Sequence, residues 1–162
     1  MIRIEMNYEG FQGATFGVMD AVITVLGVII GLSIITDKQF IVLAGVFTAG
    51  IADAFANAAG IHVAQETETH HDEREVFKST IFCFLATVGT TVFLSFPIIL
   101  FALTPGRYIS IGLGLFLLLG LGYAVSKINK QFNPYKLALE YFIIGVSVIA
   151  ICFVIGAVIN SL

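Results

Sequence analysis

Apolar residues in this chain fall in long, nearly uninterrupted blocks, and polar residues gather between the blocks or stand alone inside them. Five blocks, at about 13–35, 40–64, 79–103, 107–126 and 136–160, reach or exceed the ~20 residues an α-helix needs to cross the hydrocarbon of a bilayer. The pattern predicts an all-α, polytopic membrane protein with five transmembrane helices. The connections are too short for a second domain. Residues 1–162 therefore read as one transmembrane domain, with an acidic, histidine-containing cytoplasmic segment at 65–78.

A lone charge inside such a block costs ~2.5–3.5 kcal/mol on insertion scales, so intramembrane carboxylates usually face a partner, a cavity or an ion. Asp20 stands in the run GATFGVMDAVITVLGVIIGLSII, where Gly13, Gly17, Asp20, Thr24, Gly27 and Gly31 recur at steps of three and four. A helix places all six on one small, polar, acidic face. The second block repeats the device. Asp53 and Asn57 are one turn apart and are followed by Gly60 and Ala64, with Ala49, Ala52, Ala56 and Ala59 as a border small enough for close helix contact. The short link at 36–39 makes the first two spans antiparallel neighbours. Counted from the cytoplasmic ends, Asp20 lies about 10 Å deep and Asp53 about 16 Å, at ~1.5 Å per residue, so both carboxylates can serve one pathway.

Composition, 58% hydrophobic and 12% charged, agrees with a membrane protein, and the placement of the few charges orients it. With the N-terminus in the cytoplasm, Arg3, Arg74, Lys78, Lys127, Lys130 and Lys136 fall inside and Lys38 and Arg107 outside, the arrangement that the positive-inside rule favours. The C-terminus then lies outside. No basic patch points to nucleic acid. Cys83 and Cys152 have no second cysteine or histidine at ligand spacing and read as packing residues. No Ser/His or paired-Asp arrangement suggests an enzyme.

Beyond Ala64, the stretch QETETHHDERE lacks Gly and Pro and is expected to prolong the second helix by two or three turns. Glu66, His70 and Glu73 would then align at i, i+4 and i+7. Carboxylate with imidazole suits Fe, Mn, Zn or Ni, so the segment reads either as a metal-collecting mouth or as a solvated helix end. His62, about 180° round the helix from Asp53, reads as a packing or interface histidine. The fifth span opens after Asn133 and Pro134, a helix-start signal.

At FGVMDAVITVLGVIIGL followed by AGIADAFANAAG the chain resembles the vacuolar iron transporter family of proton-coupled Fe²⁺ and Mn²⁺ carriers, as a short prokaryotic-type member. The resemblance implies that Asp20, with Gly17 three residues before it, is the essential acidic residue of the first span. It implies that Glu9, about three turns earlier, stands at the cytoplasmic entrance and that Glu66 and Glu68 continue an acidic extension of the second span. Two features depart from the family. The methionine of the second span is missing, and Asn57 or Ile61 takes its place according to register; Asn57 offers a hard oxygen. Residues 66–78 also leave no room for the cytoplasmic metal-binding domain of many members. The resemblance further implies a homodimer with the ion path between the first spans, where ten helices replace five.

Two functions fit these residues. In the first, a divalent cation, Fe²⁺ or Mn²⁺, is the cargo and no cofactor is implied. Glu9, Glu66, Glu68, His70 and Glu73 collect it, and Asp20, Asn57 and Asp53 bind it. Competition between proton and dication for carboxylates removed from water gives antiport, with efflux from the cytoplasm across a prokaryotic plasma membrane. In the second, the chain is a non-transporting membrane scaffold or assembly subunit whose glycine and alanine stripes are contact faces, with Asp20 and Asp53 protonated between helices.

Overall fold

In the computed structural model the chain forms α1 (Tyr8–Ile35), α2 (Gln39–Glu66), α3 (Glu73–Leu100), α4 (Leu103–Ile128) and α5 (Pro134–Asn160). The structure describes residues 8–67, 72–128 and 132–162. All five helices are long and apolar enough to cross a membrane. At ~1.5 Å per residue each is about 40 Å long, so their ends extend past the ~30 Å hydrocarbon and past the apolar blocks themselves.

The second helix is not prolonged as its composition suggests. α2 stops at Glu66, with Thr67 as its C-cap, and α3 opens at Glu73. A capping box accounts for the new start: the backbone N–H of Asp72 donates to Glu75 Oε2 at 3.3 Å, while the Asp72 side chain takes a first-turn N–H in return. Glu66 and Glu73 consequently stand on two helices and do not share one helix face; His70 lies outside the described residues. The start of α5 is the expected one. Asn133 Oδ1 accepts from the N–H groups of Tyr135 and Lys136 at 3.0 and 3.3 Å, and Pro134 occupies the first helical position, where its missing N–H costs nothing.

α1 is the central post of the bundle. Its Val22, Val25, Leu26 and Ile29 are fully buried and share one core with Val42 and Val46 of α2, Leu94 and Ile98 of α3, and Leu103 and Leu118 of α4. Around it the other helices follow in an arc, α2 on α3, α3 on α4 and α4 on α5, each also touching α1. The arc does not close: among the described residues α2 and α5 share no packing seam. A strip of α1 carrying the exposed Gln12 and Phe16 and the half-buried Asp20 is left uncovered there.

Glycines set how closely the arc packs. A methyl group added at Gly122 of α4 would sit 2.7 Å from Ala138 Cα and 2.8 Å from the Leu137 carbonyl oxygen of α5, whereas one added at Gly120 meets nothing within 4 Å. Gly122→Ala should therefore destabilise the bundle by about 1–3 kcal/mol through overpacking. Gly120→Ala should be neutral or stabilising by up to ~1 kcal/mol through helix propensity. Unfolding of the two variants in detergent, followed by circular dichroism, checks this; equal effects would contradict the packing described.

Candidate metal site

The three-residue link between α1 and α2 holds the two helices in one antiparallel register, and their seam carries polar rungs. Asp20 Oδ2 accepts from Asn57 Nδ2 at 2.6 Å. One turn further from the N-terminal end of α1, Asp53 lies beside Asp20 and within hydrogen-bonding reach of Thr24. Two turns the other way, Gln65 Nε2 donates to Gln12 Oε1 at 3.2 Å. Every four-residue step along α1 is matched by a four-residue step back along α2, which puts Phe16 level with Ile61 between the two lower rungs. At the far end the seam turns apolar, where Gly45 of α2 packs against Leu32 and Val28 of α1.

This register settles two questions that composition leaves open. Asn57, not Ile61, stands opposite Asp20, and Asp53 points into the same seam rather than toward another helix. Two of the seam's oxygens have no hydrogen-bond partner although they are buried, Asp53 Oδ2 and Gln65 Oε1. An unsatisfied buried acceptor costs ~1–3 kcal/mol. A polar contact between membrane helices returns only ~0.6 kcal/mol on average, so packing alone does not explain placing these oxygens here.

α3 backs the site. Cys83 is fully buried and lies within electrostatic reach of both Asp20 and Asp53, a proximity that its isolated position in the sequence does not signal. On the other flank Asp20 borders an open cleft of about 400 Å³, also lined by Gln12, Phe16 and Met19 of α1, Leu121 of α4 and Tyr141 of α5. Gln12 and Gln65 are not evident as site residues from composition. Their signal is phase: each lies two turns from Asp20 or Asn57 on the same helix face.

A second cleft, of about 640 Å³, opens between the end of α2 and the start of α3, lined by His62, Gln65, Glu66, Glu73, Arg74 and Phe77. His62 bridges the two helices, as an interface histidine should. Its Nδ1 is 2.9 Å from Thr80 Oγ1 and its Nε2 is 3.3 Å from Glu66 Oε1. Thr80 Oγ1 is also 2.8 Å from the Val76 carbonyl, to which it donates. Glu66 and Glu73 do meet at one cleft, although from different helices. Glu9 falls in the first turn of α1; its side chain, like Glu68 and His70, lies outside the described residues. Among the described residues no three His, Cys, Asp or Glu side chains converge into a ready coordination shell.

Residues 11–82 match the VIT family. The matched segment contains every polar rung of the α1–α2 seam and the opening turns of α3, and stops one residue short of Cys83. Over 163 aligned residues the chain is also 24% identical to an uncharacterized protein of Methanocaldococcus jannaschii, an alignment covering 86% of this chain and 84% of that relative.

The short bond between Asp20 and Asn57 makes them energetically coupled. Asn57→Leu should destabilise the protein by about 1–3 kcal/mol by stranding a carboxylate. The double variant Asp20→Leu/Asn57→Leu should recover most of that loss, because both polar groups are gone. Chemical unfolding of the four species in micelles gives the coupling directly, and additive effects would show that the pair does not interact.

Proposed function

We propose that the protein is a proton-coupled transporter of divalent cations, Fe²⁺ or Mn²⁺, acting as a homodimer. The carrying observation is the Asp20–Asn57 pair with Asp53 beside it, set within the membrane-spanning part of α1 and α2 and bordering an open cleft. The match of this segment to the VIT family supports metal as the cargo.

A dication favours oxygen ligands with charge, and the seam supplies two carboxylates and an amide. With no cation present, the Asn57 nitrogen satisfies Asp20. Turning that amide over about its last side-chain bond presents Oδ1 instead, so the residue can serve both states. Asp20 and Asp53 are like charges side by side in a region poor in water. Either a proton or a dication relieves their repulsion, and exchange of one for the other is the physical basis of antiport.

Among the described residues a single chain offers only part of a coordination shell, and the Asp20 strip of α1 is left uncovered between α2 and α5. A second copy related by a two-fold axis closes both deficits, since the same strip faces itself across the axis. Hydrocarbon against a half-buried carboxylate is the costly alternative. With the cytoplasmic cleft at Glu66 and Glu73 as the mouth, the cation leaves the cytoplasm across a prokaryotic plasma membrane.

In proteoliposomes the native protein should move Mn²⁺ or Fe²⁺ in response to an imposed pH gradient, and Asp20→Asn should lower the flux at least tenfold without altering assembly. Asp53→Asn should uncouple or slow the same flux. Metal movement unaffected by Asp20→Asn sinks the proposal, and metal-independent silence in a well-assembled protein favours the scaffold. Independently, a cysteine placed at Phe16 on the uncovered strip should form an oxidative cross-link between copies. One placed at Phe116 on the outer face of α4 should not, and the reverse pattern on a denaturing gel would move the interface elsewhere.

A further inference from the structure

Two clefts flank the α1–α2 seam, and one pair of side chains belongs to both. Gln12 lines the cleft that borders Asp20, Gln65 lines the cleft that holds His62, Glu66 and Glu73, and the two carboxamides are joined by the 3.2 Å bond. Gln65 is only 3% exposed, and its Oε1 has no hydrogen-bond partner. Interhelical glue would use the amide's oxygen as well as its nitrogen. Here the nitrogen is spent across the seam and the oxygen is left buried without a partner, in a residue that lines the cleft carrying Glu66 and Glu73.

We propose that Gln12 and Gln65 form a transfer station, a neutral-oxygen binding site for a divalent cation between the Glu66–Glu73 cleft and Asp20. The inference rests on the transport reading above. Carboxamide oxygens are hard donors without charge, so they can replace part of a cation's water shell without holding the ion as tightly as a carboxylate. That is the property an intermediate stop requires. The geometry suits the direction as well. Gln12 lies two turns, about 12 Å, from Asp20 along α1, and both residues line the same cleft, so the ion passes beside the apolar Phe16–Ile61 level rather than through it. Breaking the Gln12–Gln65 bond frees a second carboxamide oxygen, so the pair can close on itself when empty and open around an ion.

Gln→Met preserves length and volume while removing the oxygen. The test compares the native protein with Gln12→Met/Gln65→Met, Gln12→Met and Gln65→Glu in proteoliposomes, alongside equilibrium Mn²⁺ binding to the same proteins in detergent. The paired Met variant should lose at least tenfold in turnover while the Asp20-dependent Mn²⁺ affinity stays within twofold. Gln65→Glu, which keeps oxygen at that position and adds charge, should retain more flux than the paired Met variant, with a lower KM than native. A merely structural pair would shift stability and affinity together and show no such split. Flux within twofold of native in the paired variant overturns the station. Should the pair fail to assemble, Gln12→Met alone decides, because Gln12 is exposed: unchanged turnover there overturns it equally. Absence of Asp20-dependent flux in the native protein is a different failure, that of transport itself.

Discussion

The site depends on how closely α1 lies against the backbone of α3. Cβ atoms at Gly13 and Gly17 would collide with the Ser79 and Cys83 carbonyls, so only glycine permits the contact. On the facing side every fourth residue of α3, Ser79, Cys83, Thr87, Thr91 and Ser95, is small and buried. Three of the four hydroxyls are satisfied within the helix, and that of Ser79 is buried without a partner. Thr87, Thr91 and Ser95 fold back onto the carbonyls four residues earlier at 3.0, 2.9 and 2.6 Å, and Thr87 also reaches the Gly17 carbonyl at 3.3 Å. In a bilayer, where association gains little from burying apolar surface, close van der Waals contact of this kind does the work of a hydrophobic core.

With α1 seated on α3, its rotation is fixed, and so is the direction in which Asp20 projects. The short link to α2 then fixes the vertical register, and the polar residues of the two helices meet as rungs instead of facing lipid. Neither restraint alone suffices. Rotation without register would leave Asn57 off the level of Asp20, and register without rotation would turn the carboxylate outward. The buried oxygens of Asp53 and Gln65 without partners are tolerated because the α1–α3 contact, a full helix long, carries the stability of that half of the bundle.

Most of the architecture was legible because five long apolar blocks leave few alternatives, and Asn133–Pro134 marked a helix start with its own chemistry. Asp20, Asp53 and Asn57 were legible as polar intrusions. The glycine stripe was legible as a face but not as its partners. Gly13 and Gly17 meet α3, Gly27 and Gly31 meet α5 at Cys152, and Asp20 with Thr24 meets α2, because one helix face at the centre of an arc borders three neighbours. The break after Glu66 is not legible in the sequence, for a local reason. Nothing in QETETHHDERE disfavours helix, and the interruption rests on the capping box of Asp72 and Glu75, which competes only when α3 must turn back beside α2. In the sequence Cys83 reads as a packing residue. Its nearness to the carboxylates follows from a tertiary contact that no spacing within α3 reveals.

The seam is asymmetric along its length, and this bears on what movement transport demands. Its N-terminal half on α1 carries the rungs and borders both clefts. Beyond Thr24 and Asp53 it closes on Leu32 and Val28 packed against Gly45, with core residues Val42 and Val46 behind. An ion held at Asp20 thus has polar groups on one side and a dry apolar contact on the other. On the transport reading this is the state open to the cytoplasm. Release to the far side would require the outer halves of α1 and α2 to part while the contacts of Gly13 and Gly17 with α3, at the inner end, stay closed. Gly45 is suited to that role: leucine against glycine is a contact with little interlocking, and separating it exposes less surface than unpacking two large side chains. On that same reading the polar rungs and the smooth apolar closure divide the labour, the inner half selecting the ion and the outer half withholding it.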